Sequence, residues 1–284
     1  MSGPRRTLLA LLLGFCASAA FALPLESRVP GGIALLRLGQ VMPGEPAPRA
    51  WLDEQPVWVT AERGQWIAVV GIGLDTPPGT RELRVGEASR EQRLRFEVMP
   101  KQYPEQRITL KDTGKVNLSP EDETRALAEI ARIQQLKRHW RETSETDAHF
   151  LLPADGRLSG RFGRRRIFNG EARAPHSGLD LAVPRGTPVK APAAGKVLAV
   201  DDYFFNGKTV FVDHGNGLIS LSCHLDRIDV TPGETVRPGQ ALGRSGMTGR
   251  ASGPHLHWSV VLNGVMVDPA LFLEPTPVSA PRRR

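Results

Sequence analysis

From residue 92 to 98 the chain alternates: Arg93, Arg95 and Glu97 take one parity, Leu94, Phe96 and Val98 the other. That period of two predicts a strand with one face in a core and one in water. Residues 66–74 form a more continuous apolar run, which predicts a central strand. Asp75-Thr76-Pro77-Pro78-Gly79 then predicts a turn. Residues 23–100 therefore read as a small β-sandwich, and they carry no visible chemistry. The period changes after Ser119. Leu127, Ile130, Ile133, Leu136 and Trp140 recur at three- and four-residue steps, the spacing of one helix face. Ser119 suits the N-cap, Pro120 the first turn, and Glu121 to Glu123 the positive end of the helix dipole. A helix over 119–142, within a linker spanning 101–150, is the expectation. His139 beside that face reads as a partly exposed helix histidine. From 151 to 274 short apolar stretches, such as 196–200 and 209–212, alternate with turns like Thr231-Pro232-Gly233-Glu234 and Arg237-Pro238-Gly239-Gln240. This predicts a compact antiparallel β domain, and a mainly β chain overall.

Composition narrows the class. At roughly 150 residues per domain, 284 residues suggest about two domains. A hydrophobic share of 40% against 24% charged excludes a disordered chain. Two cysteines exclude a disulfide scaffold and a cysteine-built zinc finger. The first 22 residues read as a secretory signal: Arg5 and Arg6, a short apolar stretch over 8–15, and the small-x-small site Ala20-Phe21-Ala22. The apolar stretch is short against the ~20 residues a bilayer span needs, so no stable membrane span is expected once the signal is cleaved. Phe15 before Cys16 argues against a lipid anchor. Cleavage after Ala22 removes Arg5, Arg6 and Cys16, lowers the net charge from +7 to +5 and leaves Cys223 as the one thiol. The basic excess suits an anionic polymer or serves solubility. An export signal disfavours nucleic acid and implies a periplasmic or secreted protein. Residues 275–284 hold three prolines and end in three arginines, and read as a basic disordered tail.

Five of the seven histidines fall between 176 and 257. On extended backbone an even separation places His176 with Asp180, and His255 with His257, on common faces. Each pair alone is also what ordinary surface or packing residues show. Together, with flanking glycines that allow close approach, they predict a metal site, because His and Asp are zinc ligands and a catalytic zinc keeps one open position. His214, within Asp213-His214-Gly215-Asn216-Gly217, reads as structural.

These residues resemble the lysostaphin-type (LytM-like) zinc endopeptidases, which cleave peptide bridges in bacterial peptidoglycan. The resemblance covers about 155–270. It runs through Gly160-Arg161-Phe162-Gly163, His176-x-x-x-Asp180, Gly186-Thr187-Pro188-Val189, Gly195-Lys196-Val197 and His224-Leu225. It continues through Gly243-x-x-Gly246-x-Thr248-Gly249, Gly253-Pro254-His255-Leu256-His257 and Asp268-Pro269. The N-terminal β domain and helix resemble the upstream region of secreted Gram-negative members. The resemblance implies one zinc per chain on His176, Asp180 and His257, with His224 and His255 as catalytic non-ligands. It implies hydrolysis of peptidoglycan crosslinks during wall remodelling. Ser222-Cys223 stand before His224 where the family commonly has an aromatic and a small residue. Some family members have lost ligands and only activate other wall hydrolases, and a non-catalytic wall-binding activator is the alternative here. The five-residue set favours the enzyme. The helix-borne His-Glu-x-x-His motif is missing, so imidazole must act as base, and a histidine base implies an acid limb near pH 6.5. Cys223 reads as packing beside His224 and not as a nucleophile. The N-terminal domain is expected either to shield or position the groove, or to serve as a passive spacer.

Overall fold

The computed structural model describes residues 23–87, 91–108, 118–168, 171–172 and 174–274. The expected signal segment, with Cys16, and the expected basic tail lie outside the described residues. The chain is mainly β, as its periodicity predicts, with one α-helix among the described residues.

The first six strands are β1 (Ile33–Gln40), β2 (Ala50–Leu52), β3 (Gln55–Glu62), β4 (Gln65–Gly71), β5 (Gly79–Val85) and β6 (Gln92–Val98). They pair in the order β1-β4-β3-β2-β5-β6, a sheet that curls over its own core of Ala34, Leu36, Val57, Val70, Leu83 and Phe96. β6 shows the alternation read from the sequence: Phe96 and Val98 are buried, and Arg93, Arg95 and Glu97 are exposed. β4 is apolar on both parities for a different reason. Ala68 and Val70 face the sandwich core, whereas Val69 joins a second core together with Ile33 and Trp58. That second core belongs to the C-terminal half.

β7 (Glu105–Ile108) continues from the sandwich and pairs in parallel with the later strand Arg165–Phe168. The helix α1 runs over Pro120–Lys137. Ser119 Oγ accepts the Asp122 amide proton as its N-cap. The helix is shorter than the 119–142 expected. Beyond Lys137 the chain straightens, sends the Arg141 guanidinium to the Asp213 carboxylate and lays Trp140 against Gly217. The apolar stripe is also used in part only. Leu136 and Ala126 are buried and Ile133 packs beside them, but Leu127 and Ile130 are exposed at 61% and 43%.

The remaining strands are β8 (Arg157–Gly160), β9 (Arg165–Phe168), β10 (Glu171–Ala172), β11 (Leu179–Ala182), β12 (Pro188–Lys190), β13 (Gly195–Tyr203), β14 (Gly207–Gly215), β15 (Leu218–Ile228), β16 (Thr235–Val236), β17 (Ala241–Ser245), β18 (Leu256–Leu262) and β19 (Val265–Val267). The main sheet orders β16-β13-β14-β15-β18-β11-β8 with antiparallel neighbours. One of its faces buries Trp258, Leu179 and Val260 in the large core. The other face carries Phe211, Ile219, Leu221, Cys223 and Val261, over which Leu136 and Ile133 of α1 lie. The candidate site occupies this second face, further along the same strands.

The two halves are fused. Asn263, at the turn between β18 and β19, accepts the Gly71 amide proton on Oδ1 at 2.6 Å and donates from Nδ2 to the Gly71 carbonyl at 3.2 Å. Tyr103 packs edge-on to Phe162 and donates its hydroxyl proton to the Pro30 carbonyl.

Candidate metal centre

β11 and β18 pair so that Asp180 stands opposite His257, and His257 in turn stands opposite Cys223 of β15. Directly opposed residues of antiparallel strands share a face, so register alone puts Asp180 and His257 side by side. His176 reaches them from the segment before β11. His176 Nε2 lies 2.9 Å from Asp180 Oδ1 and 3.0 Å from His257 Nδ1, and His257 Nδ1 lies 2.8 Å from Asp180 Oδ1. Among the described residues this is the one group of three or more potential metal-binding side chains.

Each histidine is held from behind. His176 donates from Nδ1 to the Arg161 carbonyl at 2.9 Å, which leaves Nε2 turned inward. His257 Nε2 lies 2.9 Å from Ser259 Oγ, two residues along the strand on the same face. Outer partners of this kind fix ring orientation at metal sites. Glycines make the room. A Cβ on Gly160, which pairs with Asp180, would come within 2.1 Å of Asp180 Oδ2, and a Cβ on Gly178 within 2.8 Å of His257 Cε1. Burial works against ionisation of the Asp180 carboxyl. Hydrogen bonds from His176 and His257 outweigh it and hold the group well below the usual carboxylate range. Burial lowers the pKa of His257. Three electron-pair donors of zinc-binding type thus converge about one point, with their outer nitrogens already engaged. That donor set fits a zinc ion.

His224 arrives by a route the sequence does not announce. Lys208 pairs with Leu225 and Val210 with Ser222, so Cys223 and His224 together face the single residue Thr209. This is a β-bulge, and His224 sits in it at φ +60°. Plain alternation would send the His224 side chain to the opposite face from Cys223. The bulge returns it to the site face, where its ring lies 4.7 Å from that of His255 and 5.9 Å from that of His257, centroid to centroid. Two loops clamp it. Its amide donates to the Asn206 carbonyl at 2.8 Å and its Nδ1 to the Thr248 carbonyl at 2.9 Å. His255 donates from Nδ1 to the Gly253 carbonyl at 2.8 Å, and its Nε2 lies 3.9 Å from Asp180 Oδ1. Both rings therefore keep Nε2 as the basic nitrogen. Burial first, then repulsion from His257 and His255, pushes the His224 pKa down to about 3. His224 is neutral throughout the working range, and an acid limb near pH 6.5 does not come from it.

The structure therefore gathers His176, Asp180, His224, His255 and His257 in one place. His214 lies elsewhere, donating to the Ala194 carbonyl at 2.7 Å with its other nitrogen 2.8 Å from Ser220 Oγ. Burial lowers its pKa to about 4. His139 stands 3.5 Å from Asp213 at the surface end of the same region. Cys223 is buried between α1 and the sheet. Burial pushes its thiol up to about 12, so the thiolate is negligible at neutral pH. Sequence reasoning missed Ser259 and the bulge at His224. The even spacing of Ser259 from His257 was the one available signal.

The chain matches the model of the peptidase family M23 over residues 174–269, and that of the M23 N-terminal domain over 26–101. It is 38% identical over 128 residues to the peptidoglycan DD-endopeptidase ShyA of Vibrio cholerae, a match spanning 45% of this chain and 30% of that protein. It is 38% identical over 121 residues to the DD-carboxypeptidase/endopeptidase Mpg of Neisseria meningitidis, spanning 43% of this chain and 28% of that protein. The chain thus matches less than a third of the length of these two curated relatives. A crystal structure of a peptidase assigned to M23 from Pseudomonas aeruginosa is similar throughout. It is 46% identical, covers 87% of this chain and 96% of that chain, and superposes with a TM-score of 0.73. Similarity of this extent, together with both matched segments in order, makes the chain a member of peptidase family M23.

Proposed function

We propose that the protein is a zinc-dependent endopeptidase that hydrolyses peptide crosslinks of peptidoglycan in the periplasm or outside the cell. The observation that carries the proposal is the convergence of His176 Nε2, Asp180 Oδ1 and His257 Nδ1 within 3.0 Å of one another, with His224 and His255 against them. The names of the relatives above supply the substrate class.

His176, Asp180 and His257 would hold the zinc. A bound zinc polarises a peptide carbonyl and lowers the pKa of a coordinated water to roughly 7. The chain's own groups then handle the protons. His224 and His255 each present an unprotonated Nε2, because each Nδ1 proton is committed to a backbone carbonyl. One of them accepts the proton of the attacking water, and an imidazolium so formed can return it to the leaving amine. Their fixed tautomers require no rearrangement before that step. The carboxylate of Asp180 stays ionised, so the ligand set contributes one negative charge.

The test uses purified protein and isolated peptidoglycan, following conversion of crosslinked dimers to monomers by chromatography. Cleavage should stop on chelation and return with zinc. His257→Ala should abolish both zinc binding and cleavage. His224→Ala should keep its zinc and lose activity by a factor of 10²–10⁴, the usual weight of a general base. A zinc-loaded wild type that cleaves no crosslink would overturn the catalytic reading in favour of an activator.

A further inference from the structure

Thr248 and Gly249 follow β17, and the metal centre makes no use of their side chains. Their place in the fold shows another use. The Thr248 hydroxyl accepts the Lys208 amide proton at 2.9 Å and donates its own proton to the Leu225 carbonyl at 2.8 Å. Lys208 and Leu225 are opposed residues of β14 and β15, and they form the last regular pair before the bulge that holds His224. The hydroxyl thus stands between an amide of one strand and a carbonyl of the other, and a hydroxyl can serve both because it is donor and acceptor at once. The Thr248 carbonyl, in turn, takes the Nδ1 proton of His224 at 2.9 Å. Two glycines leave this contact little play. Gly207 and Gly249 lie at φ +61° and +70°. A Cβ on Gly207 would come within 2.3 Å of the Thr248 hydroxyl oxygen, and a Cβ on Gly249 within 2.3 Å of the Gly207 nitrogen.

His224 needs such support. Its φ of +60° is a conformation that residues other than glycine seldom adopt, and it persists only where the surroundings impose it. The Asn206 carbonyl holds the His224 amide from one loop, and the Thr248 carbonyl holds the ring from the other. Any residue at 248 would offer a carbonyl, so the hydroxyl is what distinguishes threonine here. We propose that Thr248 is a positioning residue for His224. Its hydroxyl ties β14 to β15 at the mouth of the bulge. That tie fixes where its own carbonyl meets Nδ1, and therefore where the opposite ring nitrogen, Nε2, points. Thr248 acts only through His224 and touches no reacting atom. Valine has the same shape but would leave the Lys208 amide and the Leu225 carbonyl without this partner, and the strands could shift at the bulge. Serine keeps the tie.

This inference rests on the part that the proposed function gives His224, and the measurements separate the two. Zinc-loaded wild type, Thr248→Val and Thr248→Ser are compared on crosslinked dimers released from peptidoglycan. Thr248→Val should lose kcat by about 10- to 100-fold, the weight of a displacement of about 1 Å at a reacting group. Its KM and zinc affinity should stay within a few-fold of wild type. Thr248→Ser should keep kcat within a few-fold. In a His224→Ala background the valine should cost nothing further, because the ring it acts through is gone. Amide hydrogen exchange reads the bulge without activity: the His224 amide should exchange about 10-fold faster or more in Thr248→Val and at the wild-type rate in Thr248→Ser. Melting checks that each variant is folded. If the valine variant does not fold, serine decides: wild-type kcat and His224 protection support the tie, and loss of either refutes it. A folded Thr248→Val with wild-type kcat or wild-type His224 protection, or a further loss in the His224→Ala background, would overturn the inference. A zinc-loaded wild type that cleaves no dimer would instead overturn the proposed function, and the exchange rates would still decide whether Thr248 holds the bulge.

Discussion

A single methyl group at Gly160 would lie 2.1 Å from an oxygen of Asp180. The position tolerates no side chain because the carboxylate must lie over its neighbour's backbone to meet two histidines. Gly160→Ala should cost about 1–3 kcal/mol from overpacking. It should cost more in zinc affinity than in stability, since the displaced group is one of the three proposed ligands; urea unfolding and zinc titration of one preparation check both. His214 gives a second residue-level prediction. It is buried and neutral, with its pKa lowered to about 4, whereas in the unfolded chain it titrates near 6.5. Between these values the unfolded state binds more protons than the folded one. Stability from this group is complete above pH 6.5 and is lost as pH falls toward 4, by roughly 3 kcal/mol. Wild type should therefore be more stable than His214→Asn at pH 7, and the gap should shrink by pH 4 in urea unfolding at each pH.

Among the elements, α1 shows what periodicity delivers and what it leaves open. The cap was legible: Ser119, Pro120 and the acids of the first turn each occupy the position that helix physics favours. Ser119→Ala should cost about 1 kcal/mol, measurable as a shift in the unfolding midpoint. The far end was not legible, because Trp140 continues the three–four spacing although the chain has already left the helix. Contacts with Asp213 and Gly217, some seventy residues away in sequence, decide where the helix stops. The same holds for β15. Its apolar run predicts a strand, but nothing in Ser222-Cys223-His224 marks the bulge that turns His224 back to the site. The extra residue appears only when β14 lies alongside and Thr209 has two residues to face.

Over the whole molecule, the sandwich and the C-terminal sheet share one core. Ile33, Trp58 and Val69 lie in the same buried cluster as Trp258 and Val260. Asn263 supplies two buried hydrogen bonds to Gly71 across the junction. Asn263→Ala should leave the Gly71 amide and carbonyl unsatisfied and cost about 2–6 kcal/mol, at 1–3 kcal/mol for each buried polar group left bare. Thermal unfolding should remain a single transition, because neither half can lose its packing without exposing the other's; two resolved transitions would show that the halves are independent. Tyr103 brings the same junction close to the site. It packs on Phe162, next in the chain to Arg161, whose carbonyl backs His176.

The sequence by itself determined the class of fold, the cap of the helix and the family, and it named the histidines and the aspartate that the fold gathers, because each is written in local period or in short motifs whose residue types carry their own chemistry. Tertiary structure alone decided three things. It set which face His224 serves, because a bulge exists only between two strands. It made Ser259 the partner of His257, because a hydroxyl acquires that role only by lying 2.9 Å from a ring nitrogen. And it explains why β4 is apolar on both faces. One face closes the sandwich, and the other is covered by a sheet whose strands begin more than eighty residues later in the chain.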